Sequence, residues 1–155
     1  MKILVVSDTH GNYLAPLEIF KDTGAEMLIH LGDEIDDALT LELILDHPVI
    51  KVPGNCDPRA KEPRELLESI AGNRFFITHG DLYRVKNGLH RLIEKAKSLK
   101  AAVALFGHTH VPLIHKQDGV LLINPGTLMA GSDSKSYALL NITHFKITSE
   151  IIHLP

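Results

Sequence analysis

Seven side chains in this sequence have the chemistry of metal ligands and recur in one kind of place. Asp8 and His10 follow the apolar run 3–6, Asp33 follows the run 27–31, and Asn55 follows 49–52. His79 follows 75–78, and His108 and His110 follow 103–106. Each run reads as a buried strand, and each ends next to a glycine: Gly11, Gly32, Gly54, Gly80 or Gly107. Side chains two apart on an extended chain point the same way, so Asp8 and His10 can reach one point beyond the end of their strand. Carboxylates and imidazoles that converge hold divalent cations. A lone Asp-x-His is common in solvated loops and carries little information, but five strand ends of the same kind describe a site. Together they offer two carboxylates, four imidazoles and one amide oxygen. A structural zinc site would close with four ligands, usually including cysteines. Seven mixed oxygen and nitrogen ligands suit two ions side by side, each with positions left open for water and substrate.

The elements that must place these groups are predicted by pattern. After Gly11 the apolar spacing changes to Leu14, Leu17 and Phe20, with Pro16 in a first turn and Gly24 as the stop, which predicts a helix. The run 27–31 is a second strand, the acidic stretch 32–37 a loop, 38–45 a second helix begun by an Asp cap, and 49–52 a third strand. This alternation predicts a parallel sheet with ligands beyond the strand carboxyl ends, and all five candidate loops fall on that edge. The run 64–70 is taken as a strand, because Gly72-Asn73 before 74–78 is a hairpin turn signal. Leu89, Leu92, Ile93, Ala96 and Leu99 form a helical stripe, explained by a core helix alone. The last third reads as two hairpins, 113–116 with 120–123 around Asp118-Gly119, and 137–141 with 145–151. The polar stretch 130–135 reads as a flexible loop. The expected fold is a mixed α/β sandwich with antiparallel pairs attached to a parallel core.

At 155 residues the chain is expected to be a single domain, 1–155. It can bury about 70% of its unfolded surface without covalent staples. The single cysteine, Cys56, forms no internal disulfide. With no signal-peptide core and no run of membrane-spanning length, the expected location is the cytoplasm. The net charge of -3 and scattered basic residues give no nucleic-acid footprint. The densest basic cluster, Arg91, Lys95, Lys97 and Lys100, reads as the solvated face of the helix. Of ten histidines, His30, His47, His90, His115, His144 and His153 are assigned no function.

Asp8-Thr9-His10, Gly32-Asp33-Glu34-Ile35-Asp36, Gly54-Asn55-Cys56-Asp57, Thr78-His79-Gly80-Asp81 and Gly107-His108-Thr109-His110 resemble, in order, the motif set of the calcineurin-like metallophosphoesterases. The small size and the cysteine in the Gly-Asn motif resemble its compact bacterial and archaeal YfcE-like phosphodiesterases. The resemblance implies an αββα sandwich of the metallophosphoesterase type. It implies one ion held by Asp8, His10, Asp33 and His110 and another by Asp33, Asn55, His79 and His108, with Asp33 as the bridge. Asp33, Asn55 and His108 would be the catalytic members, and Asp36 and Asp57 would act one layer out, orienting imidazoles or caps. Asn124-Pro125-Gly126 is assigned a structural loop role. The implied activity is hydrolysis of a small phosphodiester by a hydroxide between two divalent ions, with Mn²⁺ the first choice and Fe, Ni and Zn compatible. A phosphomonoesterase or nucleotidase is the rival activity, and a scaffold like the retromer-subunit relatives the rival class. One residue departs from the pattern. Many members carry a histidine, thought to protonate the leaving group, where this chain has Cys56, which is expected to be a partly buried filler. Oligomeric state is not legible.

Overall fold

Among the described residues, ten strands and three α-helices arrange themselves by which faces of each apolar run need cover. The protein is described here from a computed structural model covering residues 1–144 and 146–155. β1 (Lys2–Val6), β2 (Met27–His30) and β3 (Val49–Lys51) are parallel, and β9 (Ser136–Thr143) and β10 (Lys146–His153) complete a five-stranded sheet in the order β10-β9-β1-β2-β3. β5 (Asn73–Thr78), β6 (Val103–Leu105) and β8 (Val120–Asn124) form a second parallel set. β4 (Glu65–Ile70) and β7 (Leu113–Gln117) flank it antiparallel, in the order β4-β5-β6-β8-β7. Ile3, Val5, Ile29, Phe75, Ile77, Val103, Leu105 and Leu140 pack in one cluster drawn from both sheets. The alternate residues Leu4, Val6 and Leu28 face outward beneath α1 (Leu14–Thr23) and α2 (Ile35–Leu45). Ala104 and Leu122 do the same beneath α3 (His90–Ser98). Central strands are therefore apolar on both faces, which is why they read as continuous runs. The result is the expected mixed αββα sandwich.

Four details differ from the sequence reading. The parallel strands belong to two sheets, so the five candidate loops gather where the carboxyl ends of both sheets meet, and not along one sheet edge. α2 starts at Ile35, and no side chain of its own first turn caps it. Its Ile35 N–H donates instead to Asp57 Oδ1 at 2.9 Å, a cap delivered from another loop. The first hairpin turns at Ala71-Gly72, both left-handed, with Asn73 already paired to Ile70. Leu14 is exposed, and α1 buries Pro16, Leu17 and Ile19. Phe145, where the sequence starts its last strand, lies outside the described residues. Leu128 is fully buried. Among the described residues no helix is long and apolar enough to cross a membrane.

Candidate metal centre

The loops after β1, β2, β3, β5 and β6 bring the seven expected side chains to one place. Asp8, His10 and His110 present ligand atoms that all lie within 4.8 Å of one another, and Asp33, His79 and His108 do the same. Asn55 joins the second group, its Oδ1 3.1 Å from His79 Nε2. The groups abut, since Asp8 Oδ1 lies 3.9 Å from His79 Nε2. Five of the seven, Asp8, His10, Asp33, His108 and His110, have positive φ between 45° and 68°. Left-handed backbone at a residue with a side chain costs about 1–3 kcal/mol and gathers at functional sites.

Close approach of the loops is set by glycines. A Cβ on Gly54 would fall on the Asp33 carboxylate, and one on Gly107 would overlap the Ser7 hydroxyl and crowd Asp8. Neither of these glycines has a left-handed φ, so their use here is space and not turning. Backbone N–H groups and one hydroxyl then fix the carboxylates. Ser7 Oγ and the His108 N–H, at 3.1 Å, donate to Asp8 Oδ2. The Cys56 N–H donates to Asp33 Oδ1 at 2.9 Å. Asp8 Oδ1 is left buried with no hydrogen-bond partner, facing Nε2 of His110, His79 and His10 at 3.1, 3.9 and 4.0 Å. A cation is the partner that would satisfy this oxygen, and the oxygen and imidazole donor set suits one.

Protonation follows from the same contacts. Burial alone would raise the Asp33 carboxyl, but its hydrogen bond to His79, the His79 charge and the Cys56 N–H hold it well below the usual carboxylate range. Burial opposes a charge on His79, yet the Asp33 hydrogen bond and the Asp8 and Asp33 charges outweigh it and move its pKa up. Burial, with His79 and Lys86 nearby, moves His108 down. His79 Nδ1 donates to the Leu31 carbonyl at 2.7 Å, which leaves Nε2 as the nitrogen that faces the cluster.

Asp57 lies one layer out from the cluster: its Oδ2 accepts from the Asp33 and Gly54 N–H groups at 2.9 and 2.8 Å. Asp36 does not. It is exposed, and the inward carboxylate is Asp37, buried, whose Oδ2 accepts from the Gly11 N–H at 2.9 Å. Once α2 begins at Ile35, it is residue 37 that faces the loop after β1. Cys56 is exposed and not partly buried. What burial its thiol has, with the Asp33 carboxylate, pushes its pKa up to about 11. Asn124 takes the structural role expected of it, donating to the Gly107 carbonyl at 3.0 Å and Thr109 Oγ1 at 2.9 Å.

His30 was given no function by sequence, yet it is completely buried between two of these loops. The Gly32 N–H donates to its Nδ1 at 3.1 Å, so the neutral ring carries its proton on Nε2, 3.0 Å from Thr9 Oγ1. Burial pushes its pKa down to about 4. Its only sequence signal was position, three residues before Asp33 at a strand end.

The pattern of the calcineurin-like phosphoesterase superfamily domain matches residues 1–144. The chain belongs to that superfamily. A probable metallophosphoesterase of Bacillus subtilis, YsnB, is 31% identical over 150 residues, covering 92% of this chain and 85% of its own. The phosphodiesterase YfcE of Escherichia coli is 30% identical over 171 residues, covering 91% and 88%. Among solved structures, an archaeal phosphodiesterase superposes with TM-score 0.74 at 27% identity, covering 98% of this chain and all of that one. Vps29 of Chaetomium thermophilum superposes with TM-score 0.79 at 20% identity, covering 100% and 86%, and shows the shared fold alone. The superfamily is metal-dependent and hydrolytic, and both properties suit the two clusters.

Proposed function

We propose that this protein is a cytoplasmic phosphodiesterase that works with two divalent ions, Mn²⁺ first among them, on a small phosphoester. Asp8, His10, Asp33 and His110 would hold one ion, and Asp33, Asn55, His79 and His108 the other, with Asp33 shared. Bound there, the ions would supply the Lewis acidity that makes a nucleophilic water available near neutral pH and neutralises phosphoryl oxygens. The chain's own part is preorganisation. Cys56 N–H and Asp57 hold Asp33, Ser7 and the His108 N–H orient Asp8, and the Leu31 carbonyl fixes the tautomer of His79. The thiol of Cys56, protonated at neutral pH and a very weak acid, gives a departing alkoxide little help, and good leaving groups are favoured.

The observation that carries this reading is the buried, unpartnered Asp8 Oδ1 facing three imidazoles, beside a second cluster of the same make. It also favours an enzyme over a scaffold of the retromer-subunit kind, which needs the fold but no complete ligand set. The test is hydrolysis of bis(p-nitrophenyl) phosphate before and after chelation. Activity should disappear on chelation and return with Mn²⁺. Undiminished turnover by fully demetallated protein would end the proposal.

A further inference from the structure

A cavity of about 360 Å³ opens beside the Asp33 cluster, between the start of α2 and the loop that follows Asn55. Cys56 and Asp57 form its inner wall. They are the same residues that hold the Asp33 carboxylate and the Asp33 N–H, so the cavity lies one hydrogen bond from the candidate centre. Its apolar surface comes from Ile35 and Leu39 on α2 and from Pro58 and Ala60 on the loop. Its charged groups are four carboxylates, Glu34, Asp36, Asp57 and Glu62, against two cations, Arg59 and Lys61.

We infer that this cavity receives an uncharged organic substituent of the phosphoester, of about nucleoside size, while the phosphoryl group lies at the metal centre. The inference rests on the phosphodiesterase reading. Three features point to it. The volume is in the range of small-molecule sites, about 300–1,000 Å³, and well beyond what a methyl ester would fill. Apolar side chains from both the helix and the loop line it, which suits an apolar or aromatic group. The excess of carboxylates disfavours a second phosphate, so the selected substituent is neutral and the discrimination is against polyanions.

The test is calorimetric binding to the Mn²⁺-loaded protein, which reads the site without turnover. The probes are inorganic phosphate, methyl phosphate, thymidine 5′-monophosphate and thymidine 3′,5′-bisphosphate. The nucleoside monophosphate should bind at least about tenfold more tightly than methyl phosphate, which has no group to fill the cavity. The bisphosphate should bind no more tightly than the monophosphate. Leu39→Gln and Ala60→Gln place neutral polar groups in the helix and loop linings, and each should weaken the monophosphate by about threefold or more while leaving phosphate within about twofold. Melting curves confirm that the variants fold. Equal affinity for methyl phosphate and the nucleoside monophosphate, with phosphate bound, overturns the cavity assignment and leaves the phosphodiesterase reading standing. Tighter binding of the bisphosphate overturns the uncharged substituent. No binding of phosphate to the loaded protein overturns both.

Discussion

Asp8 and Asp33 each give one carboxylate oxygen to hydrogen-bond donors of the chain and turn the other to imidazoles, but they serve different neighbours. Asp8 Oδ1 faces His10, His79 and His110, whereas Asp33 Oδ2 lies 3.3 Å from His79 Nε2. If Asp33 bridges two ions, Asp33→Asn should lower both metal stoichiometry and kcat/KM, by at least about tenfold more than His10→Ala, which touches one ion only. Equal losses in the two variants would remove the bridge. Cys56 acts on Asp33 chiefly through its backbone N–H, which alanine keeps, and secondarily through its thiol. With a thiol pushed up to about 11, it supplies no thiolate at neutral pH. Cys56→Ala should therefore change kcat/KM for bis(p-nitrophenyl) phosphate by less than about threefold, below the range of general acid help. Cys56→His should raise turnover of esters with poor leaving groups more than that of nitrophenyl diesters. A large loss in the alanine variant would assign the sulfur a direct part in the reaction.

At the scale of elements, the end of β2 is tied to the loop after β1 through His30, and that tie has a pH dependence. The folded pKa, about 4, lies below the ordinary value of about 6.5. The unfolded chain therefore takes up the proton first, and stability is full above about pH 6.5 and lost as the pH falls toward 4. Between pH 7 and 5 this single group should account for about 2 kcal/mol, read by urea unfolding at the two pH values. His30→Asn keeps an acceptor for the Gly32 N–H without the titration, and its pH slope should shrink by that amount. An unchanged slope would show that His30 is not the group responsible. The same elements explain what was legible in sequence. The ligands could be found because each sits at a strand end beside a glycine, and α3 could be found because Leu92, Ile93 and Ala96 share one buried face. The start of α2 could not, since its cap is Asp57, 22 residues away, and the choice between Asp36 and Asp37 depends on that start. The split into two sheets was hidden because strands buried on both faces, like β1 and β6, look alike whichever sheet they join.

For the whole molecule, the two clusters set a conflict between metal binding and metal-free stability. Loops from both sheets converge there, and a buried carboxylate oxygen is held without a hydrogen bond. An unsatisfied buried acceptor costs about 1–3 kcal/mol. An ion that binds only the folded state returns stability by mass action, about 2.7 kcal/mol at a hundredfold excess over its Kd. For a chain of this length that should raise Tm by about 5–10 °C. Asp8→Asn separates the two effects. The amide oxygen can take the place of Oδ2, accepting from Ser7 and the His108 N–H, while the amide NH₂ takes the place of Oδ1 and can donate to an imidazole Nε2. The metal-free variant should melt at or above the metal-free parent, because an orphaned acceptor has become a donor with partners in reach. It should also lose most of the rise in Tm that Mn²⁺ gives the parent, because an amide is a poor substitute for a carboxylate toward a hard cation. Melting curves of both proteins with and without Mn²⁺ test this directly. A metal-free variant that melts several degrees below its parent would show that Asp8 is held for stability, and a parent indifferent to Mn²⁺ would show that the clusters do not bind it.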